Sequence, residues 1–374
     1  MSGLYIHIPF CRKACTYCDF HFSTSLKTRE AVLAAMQREL EVRAMELAGA
    51  PLGTIYFGGG TPSLMEPDAI AGFIDQARRL VRVEESAEVT LEVNPDDVDE
   101  LRLSAWKAAG ITRLSIGIQS FREERLRFMG RAHTAEQSDH ALQLIAGAGF
   151  ASWTLDLIYG LPGMTLEEWD AQIDAALAMG TPHISAYCLT VEEKTTLAHR
   201  VKAGDVVMPN DADQAAQFQR LIERMEQAGL VHYEISNFGR EGHFSRHNTS
   251  YWHGVPYLGI GPSAHSFIGG VRRWNVAHNV RYAKGVEEGA TYWQEETLTP
   301  AQRTNERLMT GLRTMWGVDL STLEVDPEKE NAPLIAHYLA RGDMERRGTR
   351  LVLTRQGRAF ADRIASDLFV ADDR

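Results

Sequence analysis

Leu4-Tyr5-Ile6-His7-Ile8-Pro9-Phe10-Cys11-Arg12-Lys13-Ala14-Cys15-Thr16-Tyr17-Cys18 carries two signals in succession. Leu4 to Ile8 is a β-branched and aromatic run that reads as a strand. It runs into three cysteines spaced C-x3-C-x2-C, while the remaining cysteine, Cys188, is remote. Three soft thiolates delivered by one loop suit an iron-sulfur cluster. Zinc completed by His7 or His21, and buried structural cysteines, are the alternatives. A four-iron cubane held by three cysteines leaves one iron open to a small chelating molecule.

The pattern continues outward from this stretch. Arg29 to Ala48 reads as a helix, ended by Gly49 and Pro51. Strand Thr54 to Phe57 runs into Gly58-Gly59-Gly60-Thr61-Pro62, and a helix follows from Pro67 to Leu80. Strand Glu88–Val93, helix Asp97–Ala109, strand Arg113–Ile118 and helix Thr134–Ala148 repeat the alternation. Strand Ser152–Ile158, helix Thr165–Met179 and strand His183–Leu189 complete it. Strands alternating with helices predict a parallel sheet. The strand ends carry His7 and the cysteines, the triple glycine, Glu92 with Asn94, Gln119, Asp156 and Tyr187. Polar groups gathered at C-terminal strand ends favour a βα barrel with a site on that face over a doubly wound sheet.

A further helix is expected over Asp211–Gly229 and a strand over His232–Ile235. Residues 239–299, rich in Gly, His and aromatics, read as irregular structure wrapping a site. From residue 300 to 374, helix Ala301–Thr314, helix Leu334–Ala340, strand Arg350–Leu353 and helix Arg355–Asp367 predict a winged-helix-like α+β domain. Residues 1–238 then form the barrel domain.

With 44% hydrophobic and 24% charged residues, the chain has an ordinary globular composition. A formal net charge of −11 without a basic run argues against nucleic acid as a partner. No apolar stretch reaches the roughly 18 residues of a spanning helix. The start, Met1-Ser2-Gly3-Leu4, has no leader pattern. We therefore expect a cytoplasmic protein whose cysteines are reduced ligands, and discount the glycosylation pattern at Asn248-Thr249-Ser250.

Other candidates are weaker alone. Glycines let a ligand approach the backbone, and free amides in the triple-glycine turn could meet a carboxylate. Asp156 lies in an apolar strand, where it could reach a ribose hydroxyl pair, and Arg131 could offer its fork to a carboxylate. His247-Asn248-Thr249-Ser250-Tyr251-Trp252, with His253 and His265 nearby, reads either as an aromatic packing patch or as a haem site with a His ligand.

Taken together, the sequence resembles the radical S-adenosylmethionine superfamily. Within it the chain is similar to the oxygen-independent coproporphyrinogen III oxidase branch, above all to the haem chaperones of the HemW family. The resemblance rests on Tyr5 to Cys11, Cys15, Tyr17 to Phe20, Gly58 to Pro62 and Ile116 to Phe121. Gly130 to His133, Asp156 to Gly163 and the His247-Asn248-x-x-Tyr251-Trp252 motif complete it. It implies a partial (β/α)6 barrel with a helical, winged-helix-like C-terminal domain. It further implies a 4Fe-4S cluster on Cys11, Cys15 and Cys18, with S-adenosylmethionine on its fourth iron. Tyr5, Tyr17, Gly59, Gly60, Thr61, Glu92, Gln119, Arg131 and Asp156 stand where the family contacts that cofactor. His247, Asn248, Tyr251 and Trp252 would serve haem, carried as cargo to haem-requiring, membrane-bound respiratory clients. An electron donor would be needed if radical chemistry occurs, and no catalytic residue is assigned. The oxidases carry a further cysteine two residues after the third ligand and an N-terminal extension. Here Phe20 stands at that position and ten residues precede Cys11, which points to the chaperone. Two enzyme readings stay open: decarboxylation of coproporphyrinogen III propionates to vinyls, and radical chemistry on an unrelated substrate.

Overall fold

The computed structural model describes residues 1–47 and 49–372; the predicted end of the first helix, Ala48, lies outside them. Six strands form the framework: β1 (Ser2–Ile8), β2 (Leu52–Gly59), β3 (Val83–Val93), β4 (Arg113–Gln119), β5 (Ser152–Tyr159) and β6 (His183–Cys188). They are parallel and hydrogen-bonded in chain order. The order never reverses, so the switch point of a doubly wound sheet does not exist here. The helices between them are α1 (Arg29–Arg43), α2 (Pro67–Leu80), α3 (Glu100–Ala109), α4 (Glu123–Met129), α5 (Ala135–Gly147) and α6 (Leu166–Ala178).

Local sequence explains these helices. In α2, Pro67 opens the first turn and Ile70, Phe73, Ile74 and Ala77 fall at helical spacing on one buried face. In α5, Thr134 and Gln137 form a reciprocal capping box. The strands alternate in an unusual sense. Leu4, Ile6, Ile55, Phe57, Leu91, Leu114, Ile116, Leu155 and Ile184 point outward and are buried under the helices. The intervening residues are mostly polar: Thr90, Glu92, Arg113, Ser115, Thr154, Asp156, His183 and Ser185 line one cavity of about 50 Å³. Tyr56 of β2 and Tyr187 of β6 line it too. Strands four places apart, at about 4.8 Å per step, share so small a cavity only because the sheet curls into a partial barrel.

Beyond β6 come α7 (Thr196–Lys202), α8 (Asp211–Gln227), β7 (Val231–Glu234) and β8 (Asn237–Gly239), which adds antiparallel to β6. The stretch expected to be irregular is structured. It forms α9 (Arg246–Trp252), β9 (Tyr257–Ile260), β10 (His265–Ile268), β11 (Val271–Asn275), α10 (Asn279–Glu288) and β12 (Trp293–Thr297). β9 pairs parallel with β1, and β10 to β12 continue the sheet antiparallel, twelve strands in all among the described residues. Strands of four or five residues broken by Gly261, Gly269 and Gly270 are too short to show a periodic pattern.

A buried network fastens this extension. Glu39 of α1 is fully buried and accepts from Arg43 (3.0 Å), the Gly261 amide (2.9 Å), Asn275 (2.9 Å) and the Tyr282 hydroxyl (2.6 Å). Arg43 in turn donates to the Gly259 carbonyl and to Ser266. The C-terminal domain has its own core, including Leu308, Leu312, Val318, Ile335, Leu351 and Ile364. It comprises α11 (Pro300–Leu312), β13 (Val318–Asp319), α12 (Glu328–Arg341), β14 (Met344–Arg347), β15 (Arg350–Leu353), α13 (Arg355–Arg358) and α14 (Ala361–Asp367). Its three strands pair antiparallel in the order β13-β15-β14. The single helix expected over Arg355–Asp367 is broken in two. Gly357 lies where a Cβ would stand 1.9 Å from the Asp343 carbonyl oxygen, so the first turn is pinned against that backbone.

Candidate functional site

The cysteine loop leaves β1 at its C-terminal end and is tied down along its length. The Cys11 amide donates to the Ser23 carbonyl (3.0 Å), the Thr16 amide to Met129 (2.9 Å), and the Leu197 amide to the Thr16 carbonyl (2.8 Å). Arg12 pairs with Asp96 and Asp97. All three loop cysteines are free and partly exposed. Burial pushes the Cys11 and Cys18 thiols up to about 11, and the neighbouring thiols add to the shift.

The triple-glycine turn lies alongside. Gly59 has φ +104°, and a Cβ there would stand 2.6 to 2.9 Å from the His7 ring. A Cβ at Gly60 would meet the Phe10 and Ile8 carbonyl oxygens at 2.6 and 2.8 Å. Only glycine permits this approach. The amides expected to be free are engaged: Gly59 donates to Glu92 (3.2 Å), Gly60 to the Ile8 carbonyl (2.8 Å) and Thr61 to the Phe10 carbonyl (2.7 Å). The turn therefore fixes the cysteine loop and leaves these amides no carboxylate to receive.

Arg131 follows Gly130, the left-handed cap of α4. It donates to Asn94 (2.7 Å) and the Gly117 carbonyl (3.0 Å) and reaches the Cys15 sulfur at 3.5 Å, while its buried Nε has no partner. Tyr17 lies beside it: burial raises the Tyr17 hydroxyl, and Arg131 opposes the shift. Gln119 closes β4 with φ +64°, at a register slip against β5. A strained non-glycine residue at a strand end is a frequent mark of a site. A Cβ on Gly117 would meet Gln119, Arg131 and Asn94 within 3.7 Å, so these three converge over it.

Deeper in the lumen sit two carboxylates. Glu92 accepts from Tyr56 (2.7 Å) and the Gly59 amide; burial raises its pKa to about 7. Asp156 accepts from Ser115 (3.2 Å); burial and then the facing Glu92 raise it to about 7. Tyr5, on the same face, lies 3.1 Å from His7 Nδ1. Of the residues expected at the cofactor, Tyr5, Gly59, Glu92, Gln119 and Asp156 lie on the strands, and Tyr17, Gly60, Thr61 and Arg131 lie on loops.

The His247 motif lies elsewhere. Thr54, Arg113, Ser152 and His183, at or near the starts of their strands, meet residues 233–247. Thr54 bonds His247 Nδ1 (2.7 Å), Arg113 and Ser152 bond His243, and His183 bonds Tyr233 (2.7 Å). This segment plugs the N-terminal end of the barrel. His247 is 1% exposed, stacks 4.8 Å from Tyr56, and its other nitrogen meets the Tyr251 hydroxyl at 2.7 Å. Asn248 faces the lumen cavity, whereas Trp252 faces a separate cleft against the C-terminal domain. The motif is one helix serving two places.

Arg113 was not singled out from the sequence, and His7 and Asn94 stood there as polar strand ends without a cofactor role. His7 spans Tyr5 and the His21 carbonyl (3.0 Å), and burial lowers it to about 4. Its alternation with Tyr5 and the cysteine loop was the available signal. Both His7 nitrogens are occupied, and His21 bonds Asn279 (2.8 Å). Among the described residues no three His, Cys, Asp or Glu side chains converge as a single metal ion requires. With both of its nitrogens engaged, His7 has none left for zinc, whereas a cubane needs only the three thiolates of the loop.

A radical SAM superfamily model matches residues 5–176 and a HemN C-terminal domain model matches residues 298–360. A Mycobacterium tuberculosis protein named heme chaperone HemW is 37% identical over 373 residues, covering 98% of this chain and 94% of the relative. The chain belongs to the HemW family. A Bacillus subtilis member is 34% identical over 322 residues, covering 85% of each chain. The solved structure of coproporphyrinogen III oxidase (HemN) from Escherichia coli superposes with a TM-score of 0.84 at 24% identity, over 98% of this chain and 90% of that one. That likeness shows the shared fold: the partial barrel and C-terminal domain. The superfamily to which the family belongs has a 4Fe-4S cluster and S-adenosylmethionine as its cofactors. Among the described residues no helix is long and apolar enough to cross a membrane.

Proposed function

We propose that this protein is a haem chaperone: it binds haem and passes it to haem-requiring, respiratory client proteins. The observation that carries the reading is the end-to-end relationship to proteins named heme chaperone HemW. Phe20, where the resemblance implies a further cysteine in the oxidases, supports it. We assign the 4Fe-4S cluster to Cys11, Cys15 and Cys18. The free thiols and the unpartnered buried Nε of Arg131 beside Cys15 fit an anionic group there. When bound, the cluster would supply an iron for the amine and carboxylate of S-adenosylmethionine to chelate, and would be a source of one electron.

The chain's own residues would do the rest. Arg131 balances negative charge at Cys15. Tyr5, Tyr17, Gly59, Gly60, Thr61 and Gln119 shape the mouth. Glu92 and Asp156 offer carboxylates to a cationic cofactor and its ribose hydroxyls. Holding a sulfonium beside them favours their ionised forms.

The experiment is anaerobic. Cluster-loaded protein is given S-adenosylmethionine, a low-potential reductant and coproporphyrinogen III. In parallel, haem-loaded protein is mixed with membranes from haem-starved cells, and respiratory oxidase activity is followed. We expect restored activity and no divinyl product. Multiple turnovers of coproporphyrinogen III would overturn the chaperone reading in favour of the oxidase.

A further inference from the structure

We propose that haem binds in the cleft between α9 and the C-terminal domain, with His253 as the iron ligand and Arg307 and Arg350 as partners for the propionates. The proposal rests on the chaperone reading and gives it a place. The cleft has a volume of about 420 Å³ and is lined by Trp252, His253, Arg307, Trp316, Arg347 and Arg350 among others. That volume is in the range of sites that enclose small molecules and cofactors.

Its chemistry is that of a flat metal complex bearing carboxylates. Two indoles, Trp252 and Trp316, supply aromatic walls, and the His253 ring lies 4.8 Å from Trp316. The buried indole N–H of Trp252 has no acceptor. His253 is exposed, and among the described residues neither of its ring nitrogens is hydrogen-bonded by the protein. Its inner side is desolvated against the cleft wall, and this, with Arg307 and Arg350 facing it, holds the imidazole below its ordinary pKa and favours its neutral, ligating form. His247 is the opposite case: it is 1% exposed and both its nitrogens are engaged. An iron could reach it only after the barrel plug came apart.

The guanidinium groups point to the anionic end. Arg307 has no carboxylate partner among the described residues; its side-chain contact is the Trp252 carbonyl at 3.4 Å. Burial and the like charge of Arg350 push its pKa down. Arg350 shares Asp319 at 3.3 Å. A cleft with more guanidinium than carboxylate, on a chain with net charge −11, is built for an anion.

The test uses full-length, cluster-loaded protein titrated with ferric haem and, separately, with ferric haem dimethyl ester. Binding is followed by difference absorbance and by the low-spin paramagnetic signal of imidazole ligation. His253→Ala removes that signal and weakens haem at least tenfold, whereas His247→Gln keeps both. Arg307→Ala weakens haem at least tenfold while hardly changing the diester. Loss of the signal in His247→Gln with retention in His253→Ala overturns the cleft and leaves the chaperone reading standing. Equal binding of haem by Arg307→Ala and the parent overturns the propionate assignment. A parent protein that takes up no haem overturns the chaperone reading itself.

Discussion

Replacing Asp156 by Asn tests the account of the lumen most directly. Asp156 holds its proton up to about pH 7, against an ordinary value of 3.8, because burial and the facing Glu92 disfavour the charge. A carboxyl that binds its proton more tightly in the folded state stabilises the fold fully below pH about 4. That advantage is lost as pH rises through about 7. Three pKa units correspond to about 4 kcal/mol at most. The lumen has room for water, which relaxes the charged form, so about 2 kcal/mol is a better expectation. Asn keeps an oxygen to accept from Ser115 and never ionises. The parent, without S-adenosylmethionine, is therefore expected to lose about 2 kcal/mol more than Asp156→Asn between pH 3 and pH 8.5. Urea unfolding followed by fluorescence of the buried Trp106 and Trp169 measures the difference. Identical pH dependence in parent and variant would refute the reasoning, because Asp156 would then titrate alike in both states.

Cys11→Ala, Cys15→Ala and Cys18→Ala are each expected to lose most bound iron after anaerobic reconstitution, whereas Cys188→Ala keeps it; iron and sulfide analysis decides. Gly59→Ala forces a Cβ into the His7 ring and is expected to cost at least about 2 kcal/mol, seen as a lower urea midpoint and displaced cysteine-loop resonances. Glu39→Ala leaves Arg43 with Glu46 as its remaining carboxylate partner and strands the Tyr282 hydroxyl, a loss of about 3 kcal/mol. Faster amide exchange across β9 to β12 is the matching readout. Gln119→Gly relieves the positive φ and is expected to stabilise the apo protein by about 1 kcal/mol while weakening S-adenosylmethionine several-fold, measured by calorimetry.

The sequence showed the six βα units and the C-terminal site face because those strands are long and their helices carry clear apolar spacing, as Ile70, Phe73, Ile74 and Ala77 do. The sense of the alternation was equally present. Thr90, Glu92 and Thr154, Asp156 mark every second residue as polar, yet a barrel interior lined by charge runs against the habit of placing polar residues outside. Three short helices, Glu123–Met129, Thr196–Lys202 and Arg246–Trp252, escaped because seven residues hold too few turns to establish a period. The extension from β9 to β12 escaped for the same reason. Sequence could gather the strand-end residues, since chain order fixes which ends share a face. It could not separate His247 from His253. They stand six positions apart on one motif, and only packing decides that one is sealed under the barrel and the other opens to a cleft.

The pairing of β9 with β1 has a consequence in time. β1 leaves the ribosome about 250 residues before its neighbour β9, which at about 5 to 20 residues per second is roughly 12 to 50 s of synthesis. The loop it carries waits as well: Met129, Leu197 and Asn279 each hold part of the Cys11–Cys18 region or its His21 anchor. The thiols therefore remain accessible on a growing chain long after the first βα units have formed. Iron reaches them most easily before residue 279 has emerged and the loop is locked. Ribosome-bound chains halted short of β9 should accept a cluster, or a thiol-alkylating reagent, faster than the finished protein does.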